Sequence, residues 1–161
     1  MNVGSGATIR VATARDLEAL VRLAGAFRDS LGRERPSDAA FHSSFQRLLS
    51  DLESEFLLAV GSAGEALGYV QSRFRWSAWN EGLEAELEDV FVAAAARRGG
   101  IGRWLVLGAI ERARARGCRS IALNTNERNE PALALYGTLG FRAERGRWQG
   151  GRQLWLDLAL D

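Results

Sequence analysis

Val90-Phe91-Val92, then Arg97-Arg98-Gly99-Gly100-Ile101-Gly102-Arg103, then an apolar helical run from Trp104, form the stretch in which residue types and spacing most directly imply chemistry. A strand that empties into a glycine loop opening a helix presents unpaired backbone N–H groups and a positive dipole end to one point in space. That point suits a phosphate. Glycines at 100 and 102 let the main chain approach phosphate oxygens with no Cβ in the way, and Arg97, Arg98 and Arg103 can add charge-assisted contacts. The spacing argues against the commoner phosphate loops. Walker A requires Gly-Lys-Ser/Thr, whereas Arg103 and Trp104 follow Gly102. A dinucleotide fingerprint requires a third glycine that this loop lacks: read from Gly100 it falls on Leu105.

A second set of groups precedes the loop. Glu86, Glu88 and Asp89 lie on the strand leading into it, and strict alternation puts Glu86 and Glu88 on one face with Asp89 on the other. Further on, Asn129-Glu130-Pro131 opens another helix, which carries Tyr136 and is followed by Gly140-Phe141.

Arg97, Gly100 and Gly102 match the Arg/Gln-x-x-Gly-x-Gly/Ala pyrophosphate loop of the GNAT-type N-acetyltransferases. The run from Asn129 through Ala132, Leu135 and Tyr136 to Gly140-Phe141 is similar to that family's Asn-x-x-Ala-x-x-Leu-Tyr-x-x-x-Gly-Phe segment. The two motifs stand in the family's order, separated by one helix and one strand, and the close resemblance covers residues 83 to 145. It implies acetyl-CoA as cosubstrate. The pyrophosphate would rest on the backbone of residues 98 to 103, and the pantetheine arm would run like an extra strand along Val90, Phe91 and Val92. Asn129 would contact the coenzyme and Tyr136 would act as general acid toward its sulfur, although Asn129 serves equally well as a plain helix cap.

Leu87-Glu88-Asp89-Val90-Phe91-Val92 resembles the diamine and polyamine branch, in which the equivalent of Glu88 relays the amine proton; Glu86 matches the catalytic Glu of histone-acetylating relatives. A base is needed because deprotonating an amine of pKa ~10.4 at pH 7 costs roughly 4 to 5 kcal/mol. Whether Glu88, Glu86 or water alone serves is left open. The function this resemblance implies is acetyl transfer to the primary amine of a small molecule by direct attack in a ternary complex. Alternatives are a protein or peptide N-terminal or lysine acetyltransferase and a non-catalytic acyl-CoA-binding domain. Asn124 stands where ribosomal-protein acetyltransferases often carry Glu, which weakens the peptide reading.

The elements that position these groups follow from periodicity and punctuation. Thr8 to Ala12 reads as a strand, Thr13 caps a helix, and Ser37 or Asp38 caps a second one with Phe41, Phe45, Leu48, Leu49 and Leu52 along one face. Strands are expected at 56–60, 66–76 and 83–92, a helix at 101–116 stopped by Gly117, a strand at 119–125, and a final hairpin at 141–148 and 153–160. The order β-α-α-β-β-β-α-β-α-β-β fits one mixed α/β domain over residues 1–161. The resemblance makes it a six- to seven-stranded, mostly antiparallel α/β sheet with a central splayed parallel pair and helices on both faces.

Composition bounds the rest. With 161 residues, 47% apolar and 25% charged, the chain is an ordinary globular protein. A net charge of +1 gives no overall footprint for nucleic acid. The start lacks a signal-peptide apolar run and no segment is long enough to span a bilayer, so a cytoplasmic location away from membranes is expected. One histidine, His42, and one cysteine, Cys118, argue against a metal site and an intrachain disulfide. Phe74, Trp76, Trp79, Trp148 and Trp155 could hold an amine cation, but are expected mainly as core and as a homodimer interface.

Overall fold

In the computed structural model, residues 6–143 and Leu158 are described. Five strands form one sheet in the order β1-β2-β3-β4-β5: Thr8–Val11, Ser54–Val60, Ala66–Ser77, Gly82–Val92 and Ser120–Leu123. The first four pair antiparallel, and β4 pairs parallel with β5. Helices α1 (Leu17–Ser30), α2 (Asp38–Leu48) and α3 (Ile101–Ala115) belong with this sheet in one compact unit ending at Asn124. A second unit starts at Thr125 and contains α4 (Glu130–Thr138). The expected final hairpin lies outside the described residues.

The two sheet faces are covered by different helices. One face carries Phe56, Leu58, Tyr69 and Phe91, which pack with Leu20, Leu23 and Ala24 of α1 and Phe45 of α2. Its centre is aromatic, with Phe45 edge-on to Phe56 at 5.1 Å and Phe27 stacked on Phe91 at 5.1 Å. The other face receives α3, where Ala113 packs with Phe74 and Ala85. Glu55 also points to the α3 side, and its carboxylate accepts from Arg112 at 2.9 and 2.6 Å and from Arg116 at 3.2 Å. Burial alone would raise the Glu55 pKa, but these guanidinium hydrogen bonds outweigh it and lower it.

Local chemistry sets the helix starts. Ser37 caps α2 by accepting from the Ala40 N–H at 3.2 Å. Ahead of α1 the chain makes a short 3-10 turn at Ala14–Asp16. There the Asp16 carboxylate accepts from the Thr13 N–H at 2.8 Å and from both terminal nitrogens of Arg10 at 2.8 and 2.6 Å. Helix α2 stops at Leu48, so Leu52 is not on its apolar face as the spacing suggests; it is 88% exposed.

A bulge in β4 alters the side-chain phase. Ser72 pairs with Leu87 and Gln71 with Asp89, which leaves Glu88 as an extra residue. Since Ser72 and Gln71 point to opposite faces, Leu87 and Asp89 do too. Asp89 therefore shares the α1/α2 face with Glu86, correcting the strict alternation expected from sequence.

At the other end of that pairing Gly68 faces Val92, and a Cβ there would stand 2.5 Å from the Phe91 carbonyl oxygen and 3.3 Å from Leu105. Gly68→Ala should lower unfolding free energy by about 1–3 kcal/mol in chemical denaturation, because backbone must move; an unchanged midpoint would show that this strand end yields freely. The Arg10 hydrogen bonds, working against burial and joined by the Thr13 contacts, hold the Asp16 pKa well below the carboxylate range. A depressed folded-state pKa gives stability that is present above the unfolded value of about 3.9 and lost as pH falls below it. Asp16→Asn should therefore lower the melting temperature at pH 7 and flatten its acid dependence.

Candidate active site

The geometry begins with a strand that is hydrogen-bonded along only part of its length. Pairing of β4 with β5 stops at Leu87 and Leu123, whereas pairing with β3 continues to Val92. The Ala93 N–H donates to the Leu67 carbonyl at 2.9 Å, so the main-chain groups of residues 91 and 93 turn toward β3. Those of Val90 and Val92 turn the opposite way, into the gap where β5 has left. Of the three strand residues singled out from sequence, Val90 and Val92 offer main-chain groups there; Phe91 instead places its ring in the core.

The loop after β4 turns sharply into α3. Arg98 and Gly100 adopt left-handed conformations, with φ of 70° and 76°. The left-handed backbone fixes glycine at 100, since a Cβ there would meet nothing nearer than the Trp104 ring at 3.8 Å. At this end of α3 the Trp104 N–H donates to the Gly100 carbonyl at 3.1 Å. Gly100 supplies no side-chain cap, and no acidic residue lies in the first turn. Ile101, Gly102 and Arg103 thus begin a helix whose start is electrostatically suited to an anion. The residues fit a pyrophosphate beside an extended polyamide arm. Arg97 turns back, its Nε donating to the Val92 carbonyl at 3.0 Å and its guanidinium 5.8 Å from the Phe91 ring centre.

Three carboxylates stand on the α1/α2 side of β4, each with a different partner. Asp89 accepts from the buried Tyr69 hydroxyl at 3.0 Å. Burial raises the Asp89 pKa, and the Tyr69 hydrogen bond offsets part of the rise. At the bulge, Glu88 accepts from Gln71 Nε2 at 2.7 Å. It stands at the surface, yet the packing around it still raises its pKa, opposed by Arg73 and reinforced by Asp89 and Glu86. Glu86 accepts from Asn124 Nδ2 at 3.1 Å and lies 4.0 Å from Arg75. Neighbouring Glu84 is engaged by Arg75 at 2.7 Å and Asn80 at 2.6 Å. Tyr69 and Gln71, the residues that hold Asp89 and Glu88, were not singled out from sequence. Their alternation with Val70 and Ser72 marks them only as facing the first two helices.

In the second unit, Asn129 caps α4, its Oδ1 accepting from the Ala132 N–H at 3.4 Å. Tyr136 lies edge-on to Phe141 at 5.8 Å, and burial raises its pKa. Phe74 belongs to the α3 face beneath Arg116, whose guanidinium lies 4.1 Å from the ring centre. It is thus on the sheet face opposite the carboxylates. Trp76 and Trp79 are 72% and 91% exposed, and Trp148 and Trp155 lie outside the described residues. His42 is a surface partner of Glu18 at 3.3 Å, and Cys118 packs against the Phe74 cluster. Among the described residues no helix is long and apolar enough to cross a membrane.

Comparison with known proteins bears on the family and the fold. Streptothricin acetyltransferase of Streptomyces lavendulae is 37% identical over 91 residues, which cover 56% of this chain and 46% of that protein. The L-methionine sulfoximine/L-methionine sulfone acetyltransferase of Pseudomonas aeruginosa is 30% identical over 163 residues, covering 96% of this chain and 92% of that protein. A solved structure described as a probable acetyltransferase superposes with a TM-score of 0.85 at 24% identity, covering 96% of this chain and 99% of the other, and shows the shared fold. The model of the acetyltransferase (GNAT) family matches residues 20–141. The chain belongs to this family, whose members are acetyl-CoA-dependent N-acetyltransferases.

Proposed function

We propose that the chain transfers the acetyl group of acetyl-CoA to the primary amine of a small molecule, by direct attack while both substrates are bound. The observation that carries this reading is the half-paired end of β4. Its open main-chain edge at Val90 and Val92 leads straight into an uncapped helix start, and the residues just before that edge carry Glu88 at the bulge and Asp89 on the α1/α2 face. The small-molecule acceptors named for the streptothricin and methionine sulfoximine enzymes support a small amine, as does the absence of Glu at position 124.

The main chain does the binding. Backbone N–H groups at residues 98 to 103 hold the pyrophosphate, and Val90 and Val92 pair with the pantetheine amides in place of a neighbouring strand. Acetyl-CoA supplies the acetyl group as a thioester. The acceptor arrives as an ammonium ion, which the carboxylates attract and from which one of them takes the proton. Glu88 is the foremost base, projecting from the bulge beside the open edge. Glu86 is second, since Asn124 and Arg75 already engage it. Asp89, turned to the same side by the bulge, holds the ammonium in line. A raised carboxylate pKa brings donor and acceptor closer in proton affinity and so lowers the cost of the transfer. Tyr136 is assigned to protonate the leaving sulfur from its motif alone. Because a thiol pKa is about 8.5, this assistance is worth only the ~10²-fold low end of proton-transfer catalysis.

Thiol release from acetyl-CoA in the presence of polyamines, amino acids, aminoglycosides and peptides should show turnover with a small amine exceeding that with any peptide. Turnover with peptides alone would favour the protein-acetylating alternative, and coenzyme binding with no turnover the non-catalytic one. Glu88→Gln should lower kcat/KM about 10²- to 10⁴-fold and remove the acid limb of its pH profile. Asp89→Asn should reduce activity while raising the melting temperature at neutral pH. The sign follows from the raised pKa: ionisation opposes folding, with the penalty full above the folded-state pKa, shrinking as pH falls through it and gone below the unfolded value of about 3.9. A neutral amide escapes it at every pH, so a lower melting temperature would contradict this account of Asp89.

A further inference from the structure

Arg97 is the first residue of the loop motif, yet its side chain lies on the strand rather than reaching for the helix start. Its Nε donates to the Val92 carbonyl at 3.0 Å, and its guanidinium is 5.8 Å from the centre of the Phe91 ring. That ring is itself fixed by stacking on Phe27 at 5.1 Å. The Val92 carbonyl points away from β3 and lies beyond the last β5 pairing at Leu87. It is therefore one of the few main-chain acceptors that an extended amide arm could use in this gap.

We propose that Arg97 is a latch on the coenzyme slot: it holds the Val92 carbonyl that the pantetheine arm needs, and coenzyme binding moves its guanidinium from that carbonyl to the pyrophosphate. This inference rests on the reading that the coenzyme lies along β4. Several properties make the exchange feasible. Arg97 is exposed, so its guanidinium swings without repacking the core. The Val92 carbonyl is neutral, whereas a pyrophosphate oxygen is charged and forms the stronger bond with a guanidinium. The loop between Val92 and the helix start bends at Arg98 and Gly100, and along the chain Arg97 stands between the carbonyl it holds and the amides assigned to the pyrophosphate. Ligands that carry the pyrophosphate would compensate the latch for the carbonyl it gives up, while a bare pantetheine arm would not. Arg97 thus acts as a positioning residue that favours the complete coenzyme over its fragments.

The test separates the two halves of the coenzyme. Dissociation constants for acetyl-CoA, acetyl-pantetheine and 3′,5′-ADP would be measured by calorimetry or NMR titration on the wild-type chain, Arg97→Ala and Arg97→Met. Methionine keeps an apolar stem over Phe91 and removes the donor. Both variants should bind acetyl-pantetheine about five-fold more tightly than wild type, or ~1 kcal/mol at 1.4 kcal/mol per decade. Both should bind acetyl-CoA more weakly, having lost the pyrophosphate contact. In wild type, acetyl-CoA binding should also shift the Arg97 Nε–H resonance, and acetyl-pantetheine should shift it differently. Unchanged or weaker acetyl-pantetheine binding in both variants would overturn the latch, since Arg97 would then be only a brace for Val92. Tighter binding of acetyl-CoA by both variants would overturn the transfer to the pyrophosphate. If wild type bound neither acetyl-CoA nor acetyl-pantetheine, the coenzyme reading itself would fail; if it bound acetyl-CoA and the variants did not behave as expected, only the latch would.

Discussion

Everything at the candidate site depends on β4 being hydrogen-bonded to β3 over its whole length and to β5 over only its first half. A strand needs both neighbours to satisfy its main chain in a sheet interior. Where β5 ends, the backbone at Val90 and Val92 keeps its directional donors and acceptors but lacks a strand to receive them. The glycine loop and the start of α3 follow within ten residues, so amides of two kinds face one opening: an extended edge and a helix end. A polyamide arm ending in a pyrophosphate would satisfy both at once, so under the proposed function the backbone, rather than any single side chain, selects the ligand.

The bulge at Glu88 solves the second half of the problem. Without it, the Asp89 carboxylate would point to the opposite, α3 face of the sheet. With it, Asp89 turns toward Tyr69 on the aromatic face, and Glu88 reaches Gln71. Tyr69 is fully buried among Phe45, Phe56 and Phe91, so the partner of Asp89 is anchored in the main core while the carboxylate stands at its rim. Core packing and the placement of the Asp89 carboxylate share one side chain.

Much of this was legible in the sequence because it follows from backbone punctuation. The glycine loop opening a helix, a cap at Ser37 or Asp38, Asn129 as a helix cap and the helical apolar spacing of residues 101–116 could all be read, and the structure has a left-handed turn at Gly100, caps at Ser37 and Asn129, and α3 over Ile101–Ala115. What was not legible depends on contacts between distant residues. Alternation alone placed Asp89 on the wrong face, since an extra residue in a strand leaves no mark in its own sequence and appears only in the register with β3. The same pairing sends Phe74 to the α3 side. Leu52 has the helical spacing of its predecessors, but the chain has already left α2 by Leu48. Arg97 fits its motif, yet which oxygen it meets depends on where β5 ends, a tertiary fact.

The extra residue in β4 has a consequence for charge as well as for phase. In regular pleating, two carboxylates an odd number of positions apart stand on opposite faces. With the phase reset at Glu88, Glu86 and Asp89 face the same helix layer, while the main chain of Val90 and Val92 is directed into the gap beyond β5. One inserted residue thereby gathers negative potential on a single side of the sheet, the side to which a cationic acceptor would be drawn under the proposed function.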